Sequence, residues 1–215
     1  MAPRAPQRAG SRAGVTPAAR IRGSAVPPLE PRDTAAPLRA VLVGEAPGPR
    51  GADQSGIPFF GDRAGRPLYA ALEAAGVLTW DGDPQGVRWD GAALAAAGVT
   101  PVVSGVLLTN AFDRCPTDDG EHFRAPSRAE RESVENLARL RHDIERAMAR
   151  GADRVCCLGK VATAVVELLA LPVAVHAVPH PSAQGLLTSA PDRGKGARMA
   201  DLEAAWQRNL VALLA

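Results

Sequence analysis

Four short apolar runs, each breaking into loop residues and separated by stretches of helical period, constrain this chain more than any other feature. The runs are Ala40 to Gly44 (AVLVG), Gly105 to Thr109 (GVLLT), Arg154 to Leu158 (RVCCL) and Val173 to Val178 (VAVHAV). Continuous apolar runs of this length suit strands buried on both faces, which is the condition of a parallel sheet covered by helices. The intervening segments supply those helices. Leu68, Leu72 and Ala75 share one face and Gly76 stops it; Ser127 and Glu130 form a capping-box pair ahead of Val134, Leu137, Leu140, Ile144 and Met148. A third helix follows Gly159, and a last one runs from about Met199 with Leu202, Trp206, Leu210 and Leu213 on one stripe. This alternation predicts an α/β fold, a three-layer αβα sandwich with a central, mainly parallel four-stranded sheet.

The chain has 215 residues, 46% of them hydrophobic, enough for one domain with a substantial core. Residues 1–38 are rich in Arg, Pro, Ala and Gly without hydrophobic periodicity, and are expected to form a disordered tail ahead of a domain over 39–215. Formal net charge is only +2, yet the first 39 residues carry seven arginines against Glu30 and Asp33, so the rest of the chain is net acidic. The first twenty residues have no apolar signal core and no stretch is long enough to span a bilayer, so a soluble, cytoplasmic protein without a membrane partner is expected. Residues 79–104, dense in Gly and Asp, fit neither period and read as an elaborated connection in which Trp80 and Trp89 pin the loop to the body. The three cysteines, Cys115, Cys156 and Cys157, are too few for a disulfide framework or a four-thiolate site.

In an open α/β sheet, ligands bind beyond the carboxyl ends of the strands. The first strand runs into Gly44-Glu45-Ala46-Pro47-Gly48, the second into Asn110, and the fourth into Pro179-His180-Pro181-Ser182. The topology therefore gathers a carboxylate, an amide and an imidazole at one rim. Singly, such residues are solvated side chains, turn formers or caps; their combination at successive strand ends points to a site.

GEAPG followed by Asp53 and IPFFGDRAGRPL resembles the first motif of the iron-sulfur branch of the uracil-DNA glycosylase superfamily. LLTN at 107–110 is similar to that superfamily's strand ending in Asn, HPS at 180–182 to its second motif, and CLGKVATAVVELL at 157–169 to the strand and helix between them. The resemblance covers roughly residues 40–214 and implies a monofunctional hydrolase that excises uracil or a related deaminated base from single- or double-stranded DNA. It assigns catalysis to Glu45 and His180 and the base site to Phe59, Asn110, Ala46 and Gly48. Contacts to DNA fall to Ser182, Arg193, Lys195 and Arg198, and Leu186 (or Leu187) reads equally as a wedge into the duplex or as the start of a buried turn. The expected assembly is a monomer.

The departures from the family are equally specific. The branch's CxxC is missing, so no iron-sulfur cluster, metal or other cofactor is expected. In the branch most strictly committed to uracil the first motif is GQDPY, whose Asp activates water and whose Tyr blocks the thymine methyl; here those columns hold Ala46 and Gly48. Uracil must then be told from thymine by other residues, such as those around Asp53. Two other readings remain at this point: a damaged-base or DNA-binding module of the same fold that does not cut, and a small-molecule nucleotide-binding enzyme. The second has a poor fingerprint, because GEAPG is not GxGxxG and Pro47 removes a backbone donor from any phosphate cradle.

Overall fold

The computed structural model describes residues 20–215. Its centre is a sheet of four parallel strands: β1 (Ala40–Gly44), β4 (Val106–Asn110), β5 (Arg154–Leu158) and β6 (Ala174–Val178), in the order β4-β1-β5-β6. Ala40 pairs with Val106 on one side and Arg154 on the other, which brings Gly44 level with Asn110 at the carboxyl rim. The period of two divides each strand between two cores. Ala40, Leu42, Val106, Leu108, Cys156 and Leu158 face one layer; Val41, Val43, Leu107, Val155 and Cys157 face the other.

The first layer contains α2 (Gly65–Ala74) through Leu68 and Leu72, α7 (Ala183–Ser189) through Leu186, and α8 (Met199–Leu214) through Trp206, Leu210 and Leu214. The second contains α5 (Val134–Ala149) through Leu140, Ile144 and Ala147, and α6 (Lys160–Glu167) through Ala162, Val165 and Val166. A helix layer on each side of a parallel sheet makes the three-layer αβα sandwich.

Two details differ from the sequence pattern. Ser127 and Glu130 do form the capping box, but it serves the short α4 (Arg128–Arg131), and the chain restarts at Ser133, whose side chain accepts from the Asn136 N–H to cap α5. The restart turns Val134 outward, 87% exposed, while Leu140 and Ile144 keep their place in the core. The connection at 79–104 holds an antiparallel pair, β2 (Leu78–Asp81) and β3 (Thr100–Val103), with α3 (Gly91–Ala96) between them. Trp80 and Trp89 pack with Phe60 and Tyr69 at ring-centroid separations of 5.6–6.0 Å between the two pairs, and the Trp89 indole N–H donates to the Asp62 carbonyl at 2.7 Å. These tryptophans therefore pin the insertion to the body.

Residues 20–38 differ most from expectation. They form an extended strap on the domain, so the expected disorder does not hold for them; residues 1–19 lie outside the described residues. Val26 and Leu38 are buried, and Leu29 pairs with Leu108 through two backbone hydrogen bonds. Glu30 receives both Arg146 and Arg150. An extended strap satisfies its backbone against the body and needs no periodicity of its own, so composition alone gives no sign of it.

Candidate active site

The strand ends build the site through local backbone needs. Gly44 closes β1 between two side chains: a methyl group added to it would stand 2.7 Å from Asn110 Oδ1 and would collide with the Phe59 ring. Phe59 and Asn110 are therefore neighbours across the end of β1. Phe59 holds a left-handed backbone at φ 63°, a strained conformation for a side chain of this size. Its surroundings hold it there. The Phe59 carbonyl accepts from the Asp62 N–H at 3.2 Å, Gly65 packs against that carbonyl where no Cβ would fit, and the buried Tyr69 hydroxyl donates to the Pro58 carbonyl at 2.8 Å.

Asn110 is 2% exposed, and both polar atoms of its side chain are buried without a hydrogen-bond partner among the described residues. Leaving such an amide unpaired costs roughly 1–3 kcal/mol per group, so it demands an explanation. Its backbone, by contrast, is firmly held. The half-buried Arg139 guanidinium donates to the Asn110 carbonyl at 2.8 Å, to the Ala111 carbonyl at 3.2 Å and to Asp143 at 2.9 Å, and Asn136 donates to the Ala111 carbonyl at 2.7 Å.

His180 sits between glycines. A Cβ on Gly185 would collide with the His180 carbonyl, and one on Gly159, whose φ is 101°, would crowd the His180 Cβ at 3.1 Å. The Ser182 N–H donates to His180 Nδ1 at 3.2 Å. This bond assigns the proton of the neutral ring to Nε2, leaving Nε2–H as a donor to a ligand. Burial lowers the His180 pKa from its ordinary 6.5, and the nearby Glu45 carboxylate opposes that shift only in part. Among the described residues, no cation lies within ion-pair distance of Glu45, so its carboxylate is not spent on structure.

A cleft of about 520 Å³ opens over these residues, lined by Glu45, Ala46, Gly48, Phe59 and His180. Asn110 does not line it but lies behind, against Phe59. Glu45 and His180 also line a second groove of about 770 Å³ with Lys160, Thr163, Ser182, Gln184, Thr188 and Ser189. A volume of a few hundred cubic ångströms suits a small planar ligand in the cleft, and the hydroxyl-rich groove beside it suits a chain that continues from that ligand.

The structure thus brings together Glu45, Ala46, Gly48, Phe59, Asn110 and His180. Ser182 caps α7 by accepting from the Gly185 N–H at 3.2 Å and stands in the groove. Leu186 does not fit its expected role as a wedge. It is 4% exposed, because the core-facing side of α7 turns it into the first layer; Leu187, next in line, is half-buried against Gly194. Arg193, Lys195 and Arg198 are exposed on the segment before α8 and line neither hollow, and Arg198 pairs with Asp201. Asp53 is also placed differently. Its buried carboxylate accepts from Arg22 at 2.6 Å and from the Gly23 N–H at 2.8 Å, so it anchors the strap and does not face a ligand.

The sequence reading missed a further wall of the cleft, made by Cys115, Pro116, Phe123, Arg124 and Pro126, and also Asp62. Arg22 of the strap braces this wall, pairing with Asp53 while lying 4.6 Å over the Phe123 ring. The Pro and aromatic content directly after Asn110 was the available signal for this wall.

A family model for the uracil DNA glycosylase superfamily matches residues 31–208. The chain belongs to this superfamily. The match begins within the strap, in agreement with its packing on the domain. DNA is the partner on which this superfamily acts, and DNA glycosylase activity is its general chemistry. No curated protein matched the chain. The thiols of this superfamily member do not fit an iron-sulfur cluster: Cys156 and Cys157 point into opposite cores, and Cys115 lies in the cleft wall. Three cysteines placed this way cannot present four thiolates to one cluster. Burial pushes the thiol pKa values of Cys115 and Cys156 up to about 11 and that of Cys157 up to about 12. Among the described residues, no helix is long and apolar enough to cross a membrane.

Proposed function

We infer that the protein hydrolyses the N-glycosidic bond of uracil, or of a closely related deaminated pyrimidine, in DNA. The observation that carries this reading is the buried, unpartnered Asn110 amide behind the Phe59 ring, at the cleft that Glu45 and His180 share with the groove. A polar group kept dry and unpaired is explained by a ligand that completes it.

Uracil complements the site group by group. With the Phe59 ring shifted to uncover it, the Asn110 amide accepts from N3–H and donates to O4, while cytosine presents the reverse arrangement. Phe59 stacks on the base face, and the sugar-phosphate chain leaves through the hydroxyl-lined groove, where Ser182 and Lys160 meet phosphate. In the reaction the C1′–N1 bond breaks and its electron pair departs with the base, so positive charge grows on the sugar and negative charge on uracil O2. His180 donates its Nε2–H hydrogen bond to O2 as that charge develops. Glu45 offsets the oxocarbenium charge and orients the water whose oxygen bonds to C1′, leaving a hydroxyl on the sugar and the proton to the departing base or solvent.

The test is formation of alkali-labile abasic sites in uracil-containing oligonucleotides. Strand breaks at uracil are expected, with excision slowed about 100- to 1000-fold by His180→Ala. DNA binding without breaks would mean a non-cutting module. Asn110→Asp is expected to lose the preference for uracil over cytosine; an unchanged preference would remove Asn110 from the base site.

A further inference from the structure

Asp62 is a carboxylate in the cleft that the proposed chemistry leaves unused. It is held rigidly. Its Oδ2 accepts the N–H groups of Gly48 and Ala52, each at 3.2 Å, while its own carbonyl accepts from Trp89. Two glycines are needed to admit it, because a Cβ on either Gly48 or Gly51 would collide with the Asp62 carboxyl group. The carboxyl therefore fills the space where a side chain at position 48 would begin.

Its place relative to His180 follows from the two hollows. His180 and Glu45 line both and so stand at the edge the two hollows share, whereas Gly48, Phe59 and Asp62 line the cleft and not the groove. In a pyrimidine ring C2 and C5 are opposite corners. A base whose O2 is held by His180 turns C5 away from that shared edge, toward the part of the cleft lining to which Gly48 and Asp62 belong.

We propose that Asp62 is the specificity-determining wall at C5, admitting pyrimidines that carry hydrogen there and excluding the 5-methyl group of thymine. The inference rests on the uracil reading above. A methyl group meeting this carboxyl offers it no hydrogen bond and presses on an atom braced by two backbone donors, so the wall cannot yield without breaking the turn at 48–52. Burial raises the Asp62 pKa while those donors oppose the shift, in keeping with a carboxyl set in place for its shape.

The test is single-turnover excision of uracil and of thymine, each opposite guanine in one duplex sequence, by the wild type, Asp62→Ala, Asp62→Ser and Asp62→Asn. The Ala and Ser variants vacate the wall, and the serine hydroxyl still offers an acceptor to the turn should the alanine variant fold poorly. Asn keeps the volume and retains an oxygen for Gly48 and Ala52. Because one methyl group at a closed wall is worth about 10- to 200-fold in rate, the uracil-to-thymine ratio should fall by that factor in Ala and Ser, through a gain of thymine excision. In Asn the exclusion of thymine should persist. An unchanged ratio in folded Ala or Ser protein, with uracil excised by the wild type, overturns the inference alone. A wild type that releases no base from any of these duplexes overturns the glycosylase reading and the inference with it.

Discussion

Replacing Asn110 by leucine should make the protein more stable and nearly inactive, and the size of the first effect follows from the geometry. Asn and Leu have similar shapes, and the side chain at 110 lies against the Phe59 ring and Gly44 at 2% exposure, so the substitution neither opens a cavity nor forces a clash. What it removes is an amide whose Nδ2 and Oδ1 are both buried without partners. Relieving that desolvation should raise stability by about 1–3 kcal/mol, and for a domain of this size each kcal/mol moves Tm by roughly 2–4 °C. The expected change is thus an upward shift of roughly 2–12 °C in calorimetry. Excision of uracil should fall by more than about 100-fold, because buried polar complementarity to the base is lost. Stabilisation with loss of activity is the signature of a residue held for a ligand. A fall in Tm with activity retained would show that Asn110 serves the fold, and the base site as built here would be wrong.

Three further outcomes follow. His180 has a pKa held below 6.5 by burial, so the unfolded chain takes up its proton first; its contribution to stability is intact above about pH 6.5 and is lost as pH falls below that value. The same shift places the acid limb of activity due to His180 below pH 6.5, and Glu45→Gln should lower the imidazole pKa further in an NMR titration; a rise would mean that the carboxylate does not face the ring. Arg139→Met leaves the buried Asp143 carboxylate without its cation and the Asn110 carbonyl without its donor, so urea unfolding should show a loss of about 3–5 kcal/mol, largely restored by adding Asp143→Leu; a loss under 1 kcal/mol would contradict the clamp. Deleting residues 1–19 removes Arg4, Arg8 and Arg12 and should flatten the salt dependence of DNA binding by up to about 0.9 per arginine in log-log slope at unchanged stability, whereas deleting 1–38 should also lower Tm by exposing the seats of Val26 and Leu38. An equal Tm for the two truncations would show that the strap does not brace the domain.

The sheet was legible because a parallel strand buried on both faces writes itself as an uninterrupted apolar run, and each of the four expected strands lies within one residue of its observed bounds. The rim residues were legible for a related reason, since strand ends dictate which side chains meet. The strap was not, because Arg22, Leu29 and Glu30 find their partners at Asp53, Leu108 and Arg146, far along the chain, and no local pattern records such pairings. Leu186 misled because an apolar residue in a loop-like segment reads equally as wedge or core, and only the seat of α7 on the first layer decides between them. Asp62 was passed over for a similar reason. Its meaning lies in the space left by Gly48 and Gly51, which is a property of the packed turn.

The most direct measurement of the central claim is the free base released from DNA, identified and counted by mass spectrometry for the wild type and His180→Ala on the same uracil-containing strands, single and duplex. Convergence of Phe59, Glu45 and His180 on one cleft, with the Asn110 amide behind it, predicts free uracil in amounts exceeding the enzyme and matched one for one by abasic sites, with release about 100- to 1000-fold slower in His180→Ala. Absence of free uracil, or release that His180→Ala leaves unchanged, would contradict it.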